Sequence, residues 1–219
     1  MTGLAHVDPH GTALAIGDEA LQVHKVSVSD QDNNAYVLTD PASGEQLLID
    51  AADDAEAVLA LVSAHGNGGL TAVLTTHQHW DHHRALPEVV AATGAQVLAG
   101  AEDADALPSP VDVRLAHGDT VTLGSHAFDV IALRGHTPGS VALAARTGSA
   151  TMVFTGDSLF PGGVGKTESP EDFTSLLDDV ETRLFARYPD DTVVHPGHGD
   201  STTLGAERPA LESWRTRGW

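Results

Sequence analysis

The chain contains no cysteine. That absence excludes a disulfide framework, a thiolate metal ligand and a cysteine nucleophile, so any metal must be held by nitrogen and oxygen donors. Lysine is almost missing as well: Lys25 and Lys166 are the only two, in a chain of formal net charge −20. Nucleic-acid affinity comes from clustered Lys and Arg that track phosphates, so no nucleic-acid partner is expected, and an anionic membrane surface is disfavoured for the same reason. Long apolar runs are lacking, and no stretch approaches a membrane span. The N-terminal segment carries Asp8, Pro9, Asp18 and Glu19 where a signal peptide needs basic residues and an unbroken apolar core, so a cytoplasmic location is expected. There is no internal repeat, long low-complexity linker or compositional break. With 219 residues and a hydrophobic fraction of 41%, one domain over 1–219 with a substantial core is expected, residues 1–20 being an N-terminal extension or edge strand.

Histidine, by contrast, is concentrated. The stretch Thr76-His77-Gln78-His79-Trp80-Asp81-His82 places three imidazoles and a carboxylate within six positions, directly after the apolar run 70–75. At this chain's composition, a random match to that spacing has a chance of roughly 0.004, so coincidence is a weak explanation. Imidazole and carboxylate are costly to bury unless paired or metal-bound, which makes a metal site the natural reading.

Short apolar or β-branched runs alternate with helical patterns along the chain, which points to a mixed α/β fold. Strands are expected at 22–28, 34–39, 46–49, 72–75, 96–98, 120–123, 126–132, 140–145, 151–155 and 192–195. Helices are expected at 54–65, 81–93, 170–185 and 206–215, and the third reads as scaffold because Phe173, Leu176, Leu177, Val180 and Leu184 recur at core-facing spacing.

Three further segments repeat the grammar of an apolar strand followed by a Gly-containing turn that carries His or Asp. They are 129–133 leading to Gly135-His136-Thr137-Pro138-Gly139-Ser140, 152–155 leading to Gly156-Asp157-Ser158, and 193–194 leading to His195-Pro196-Gly197-His198-Gly199. Loops at strand ends often build function in α/β folds, and glycine permits the close backbone approach such turns demand. The combined donors His77, His79, Asp81, His82, His136, Asp157 and His198 are too many for one tetrahedral ion and suit two adjacent ions sharing a carboxylate.

With these motifs, the chain resembles the metallo-β-lactamase superfamily, and within it the hydroxyacylglutathione hydrolase (glyoxalase II-like) branch. The resemblance rests on 77–82, 135–140, Gly156-Asp157-Ser158-Leu159-Phe160, Gly163-Val164-Gly165-Lys166 and Gly197-His198-Gly199. It implies an α/β fold of four layers, an αββα sandwich with the metals at one edge between the sheets. It further implies that His77, His79 and His136 hold a first metal, that Asp81, His82 and His198 hold a second, and that Asp157 bridges them. His198 is the residue that matches the family ligand, which leaves His195 as a core or supporting group, and His83 is expected to face solvent or support the site. Lys166 matches the branch's lysine for the carboxylate of a thiol cofactor, while Val164 stands where the branch commonly has Cys. The implied activity is hydrolysis of a small thioester of the hydroxyacyl-thiol type by a metal-bridging hydroxide, with Asp81 and Asp157 orienting the water. Nitrogen and oxygen donors admit zinc first, then iron or manganese. The alternatives are a mononuclear iron persulfide dioxygenase-like enzyme, a lactonase or β-lactamase-type hydrolase, and a metal-bound binding module without catalysis. The expected partner is a small-molecule substrate, and the oligomeric state is not encoded in any of these motifs.

Overall fold

The computed structural model describes residues 4–148 and 150–218. Its first sheet takes seven strands in chain order: β1 (Leu14–Ala15), β2 (Gln22–Ser27), β3 (Asn34–Thr39), β4 (Glu45–Ile49), β5 (Gly69–Thr75), β6 (Gln96–Gly100) and β7 (Val113–Leu115). The strands from β1 to β4 pair antiparallel, and those from β4 to β7 pair parallel. Parallel neighbours need a crossover, which α1 (Ala55–His65) supplies between β4 and β5, and α2 (Leu86–Thr93) between β5 and β6.

The second sheet begins with β8 (Thr120–Leu123), β9 (His126–Ala132), β10 (Val141–Thr147) and β11 (Ala150–Gly156). A short ribbon of β12 (Leu159–Phe160) and β13 (Gly163–Val164) follows, then α3 (Pro170–Val180). Two strands, β14 (Val193–Pro196) and β15 (Thr202–Thr203), complete the order β15-β14-β11-β10-β9-β8, and α4 (Leu204–Glu207) and α5 (Leu211–Arg217) follow.

Strand side chains alternate between faces, so each sheet buries both. Tyr36, Leu38, Leu47, Ile49 and Leu74 of the first sheet meet Phe128, Val130, Leu143 and Phe154 of the second. On the outer face of the first sheet, Val37, Leu48, Val73 and Val97 pack with Val58, Leu61, Leu86 and Val89 from α1 and α2. On the outer face of the second, Ala142, Ala144, Val153 and Val194 pack with Phe173, Leu176, Val180 and Trp214 from α3 and α5. The result is the expected αββα sandwich. Among the described residues, no helix is long and apolar enough to cross a membrane.

Several element boundaries differ from the sequence reading. The helix expected at 81–93 is a tight 3₁₀ turn at Trp80–His82, and α2 starts only at Leu86. The amides of Arg84 and Ala85 bond to the carbonyls of Ala52 and Ala51, which removes them from any ladder begun at Asp81. The helix at 206–215 is divided because Pro209, within a 3₁₀ turn, has no N–H to continue one. The helix at 170–185 runs as α3 and then widens into a π turn at Glu181–Phe185. In the N-terminal segment, β1 is the edge strand of the first sheet, and residues 1–3 lie outside the described residues.

Candidate metal centre

The four motif loops meet at one edge of the sandwich. The loop after β5 carries His77, His79, Asp81 and His82, the turn from β9 to β10 carries His136, the end of β11 leads to Asp157, and the end of β14 leads to His198. The sheets are tied together here by the Val141 amide, which donates to the Thr76 carbonyl at 2.9 Å. Parallel pairing of β11 with β14 sets Asp157 and His198 side by side, with the Gly197 amide donating to the Gly156 carbonyl. Gly197 has no room for a side chain, since a Cβ there would run into the Asp157 carboxylate and the His82 ring.

Donor atoms within 4.8 Å of one another fall into three overlapping groups: His77, His79 and His136; His77, His82 and Asp157; and Asp81, His82 and His198. Asp157 reaches across them, lying 3.4 Å from His82 Nε2, 3.5 Å from His198 Nε2 and 3.7 Å from His136 Nε2. All seven donors named from the sequence are therefore brought together in three groups that share His77 and His82.

The outer nitrogens decide which atoms point inward. His136 Nδ1 donates to the Lys166 carbonyl at 2.6 Å, His198 Nδ1 to the Gln31 carbonyl at 2.8 Å, and His82 Nδ1 to Asp50 at 2.9 Å. Such bonds fix ring orientation and leave Nε2 as the inward lone pair, as metal-ligating histidines require. The Nε2 atoms of His82 and His198 then face each other at 3.1 Å, and His79 Nδ1 faces His136 Nε2 at 2.9 Å. Lone pairs that close repel unless a proton or cation lies between them. His77 Nε2 and Asp157 Oδ1 are also buried with no hydrogen-bond partner among the described residues. Buried polar atoms are rarely left so, and a cation held by this nitrogen and oxygen set satisfies both.

Electrostatics follow the same geometry. Burial drives His77 far below the usual imidazole range, and the neighbouring imidazoles add to that effect. Burial opposes a charge on His82 as well, yet Asp157 and Asp50 outweigh it and raise His82 to about 10. The hydrogen bond with His198 is the main reason Asp81 sits well below the usual carboxylate range. A divalent ion entering here displaces protons from the imidazoles, so occupancy is pH-dependent.

Three supporting residues had escaped the sequence reading. Asp50 accepts from the Thr76 amide, the Thr76 hydroxyl and His82, at 2.7, 2.8 and 2.9 Å. Asp103, 1% exposed, accepts from the Gln78 amide, the Thr137 hydroxyl and the Gly139 amide, and so pins the His77–His82 loop to the His136 turn. Asn33 donates to both the carboxylate and the carbonyl of Asp81. A signal existed for Asp50, which ends the apolar run of β4 much as the other site loops begin. Asp103 and Asn33 lie in loops without that grammar.

The remaining candidates separate cleanly. His195 is buried outside the cluster, with Nδ1 2.8 Å from the Ser201 hydroxyl, whereas His198 is within it. His83 is buried, with Nε2 3.0 Å from the Gln78 carbonyl, so it braces the loop. Lys166 is exposed, and its backbone carbonyl holds His136. Lys25 is fully buried, and its ammonium donates to Gly199, beside His198, and to Ala5.

Comparison with known proteins identifies the family. The family model described as the metallo-beta-lactamase superfamily matches residues 29–198. A hydroxyacylglutathione hydrolase of a Jannaschia species is 46% identical over 136 residues, covering 62% of this chain and 51% of that protein. A hydroxyacylglutathione hydrolase of Cereibacter sphaeroides is 36% identical over 187 residues, covering 82% of this chain and 70% of that protein. The chain thus spans between half and about two thirds of the length of the curated relatives it matches first. Among solved structures, TTHA1623 in a di-iron-bound form is 33% identical with a TM-score of 0.68, covering 84% of this chain and 96% of that one. By the extent of these matches, the chain belongs to the metallo-beta-lactamase superfamily and, within it, to the hydroxyacylglutathione hydrolase-like branch.

Proposed function

We propose that the chain is a binuclear metal-dependent hydrolase of small thioesters of the hydroxyacyl-thiol type. Family membership implies a divalent-metal site, and the supporting observation for two ions is the reach of Asp157 into both donor groups. His77, His79 and His136 would hold one ion, Asp81, His82 and His198 the other, and Asp157 both. Zinc is the first expectation, and iron is the second because a related structure is described as di-iron-bound. Bound divalent ions supply a water of lowered pKa and a Lewis acid for the substrate carbonyl.

The chain's own residues provide the rest. Asp81 and Asp157 present carboxylate oxygens that accept hydrogen bonds from the attacking water and aim it. Asn33 and Asp103 hold the loops so that this aim is set before substrate arrives. Water attacks directly, so no protein nucleophile is required, and a thiolate leaves with little help from a general acid. Lys166, exposed at the rim, would attract a carboxylate remote from the scissile bond.

Metal analysis of reconstituted protein and turnover of a hydroxyacylglutathione, within a panel of thioesters, lactones and β-lactams, test this reading. Two ions per chain and preferred thioester hydrolysis are expected. Asp157→Ala should lower occupancy of both positions and abolish turnover, whereas Asp81→Ala should empty mainly the second. Lys166→Ala should raise KM about tenfold with kcat little changed, as loss of remote binding does. A single iron per chain, with oxygen consumed on addition of a persulfide, would replace the hydrolase reading with a dioxygenase one. Stoichiometric metal with no turnover across the panel would favour a binding module.

A further inference from the structure

The chain has nine arginines against 31 acidic residues, and they are unevenly spread. Arg146, Arg183 and Arg187 line one cleft of about 560 Å³, together with His117, Asp129 and Tyr188. Arg134 lines a smaller adjoining cleft of about 190 Å³ that shares His117 and Arg183. This concentration lies on the outer face of the second sheet, where β9 and β10 meet the π turn that ends α3. None of the seven metal-centre donors lines it. Val141, at the metal-centre end of β10, touches Thr76, and Arg146 is five residues further along, about 17 Å at the rise of a strand.

The arginines are held to different degrees. Arg183 is fixed by the Ala132 carbonyl at 2.6 Å and by Asp179 at 3.2 Å. Asp179 is already engaged by Arg134, so its charge is shared. The side chains of Arg146 and Arg187 form no hydrogen bond or ion pair among the described residues. Asp129 is the one carboxylate on the cleft wall, 3.5 Å from the Tyr188 hydroxyl. His117 titrates below its usual range, from partial burial and then the charge of Arg183, and so adds no charge at neutral pH. Three guanidinium groups face Asp129 and a share of Asp179, which leaves a surplus of more than one positive charge in a protein of net charge −20.

We propose that this cleft binds a small dianionic oxyanion, of the kind carried by phosphate monoesters and dicarboxylates, at a site separate from the metal centre. Guanidinium forks match both carboxylate and phosphate oxygens in bidentate fashion. A concave wall focuses the local positive field despite the acidic surroundings. The volume falls within the range of small-molecule sites, and the half-buried Tyr188 ring offers an apolar wall for the body of the ligand. Arg183 is the anchored donor, while Arg146 and Arg187 are free to close on the anion.

The test is calorimetric titration of the metal-loaded chain with inorganic phosphate and, separately, with malonate, in 0.15 M sodium chloride. An anion can also bind at the metals, so the informative quantity is the difference between wild type and the Arg146→Ala/Arg187→Ala double variant. The double variant should lose one equivalent of anion binding, or weaken it at least tenfold, while keeping wild-type thermal stability and thioester turnover. Arg146→Lys/Arg187→Lys, with the charge retained, should keep part of the affinity, and it serves as the comparison if the alanine variant does not fold. Tighter phosphate assigns the site to phosphate esters, and tighter malonate assigns it to dicarboxylates. Isotherms that coincide within twofold between wild type and variant for both anions overturn the proposal, as does wild-type binding confined to the metal centre.

Discussion

As pH falls below 6.5, an unfolded chain takes up protons on its histidines, while His195 in the folded protein does not. Burial first, and then the charge of Lys25, hold this imidazole down to about 3. Protonation would place a further donor in a pocket where Nε2 already has no partner. Because the folded value lies below the unfolded one, the stability present above pH 6.5 is lost as pH falls toward 3. His195→Asn should flatten the pH dependence of unfolding free energy in that window by up to one proton, about 1.4 kcal/mol per pH unit. Urea midpoints of both proteins at pH 7, 6, 5 and 4 measure this, and parallel curves would remove His195 as the cause. At this scale the sequence was a good guide to which donor side chains come together and a poor one to what supports them. His77, His79, Asp81 and His82 are legible because their ligand spacing is local. Asp103 is not, because its value lies in three donors that come from residues 25 to 36 positions away.

Helix α3 does more than cover the second sheet. Its Asp179, 4% exposed, accepts from the backbone amide, Nε and Nη2 of Arg134, at 3.0, 2.9 and 2.9 Å. Arg134 opens the turn that carries His136, and Gly135 lies so close to α3 that a Cβ would meet the Asp172 carbonyl. Asp179→Ala leaves that amide without its acceptor and should cost about 2–3 kcal/mol, read as a lower denaturant midpoint. If two ions bind as proposed, the one at His77, His79 and His136 should then be released before the one at Asp81, His82 and His198. Simultaneous release, or an unchanged midpoint, would show that α3 does not steer the turn. The longer strands and α1 and α3 were legible because each buries a periodic apolar pattern. The start of α2 was not, since contacts of Arg84 and Ala85 with the 51–52 loop override local helix preference. Strands of two or three residues, such as β7 and β15, exist only through their neighbours.

A net charge of −20 makes the folded molecule repel itself, and salt screens that repulsion. The melting temperature of metal-free protein should therefore rise as sodium chloride increases from 0.01 to 0.15 M, where the Debye length shortens from about 30 to about 8 Å. Ions bound at the proposed centre act differently, because they bind the fold and not the unfolded chain. Chelation should lower the melting temperature by an amount that salt does not restore, corresponding to about 2.7 kcal/mol for an ion present at 100 times its Kd. Calorimetry across salt and chelator separates the two effects, and a melting temperature that falls with salt would contradict the first. Residue type and order alone were enough to show that candidate donors are limited to nitrogen and oxygen, that they sit on loops after apolar strands, and that strands and helices alternate as in a mixed α/β fold. These properties are local, set by residue type and by periodicity over a few positions. Which loops share an edge, which nitrogen of each imidazole faces inward, and the holding roles of Asp50, Asp103 and Asn33 emerge from long-range folding. The partners in those contacts are as far apart as Asn33 and His198, 165 positions, and meet only because β-pairing between distant strands brings them together.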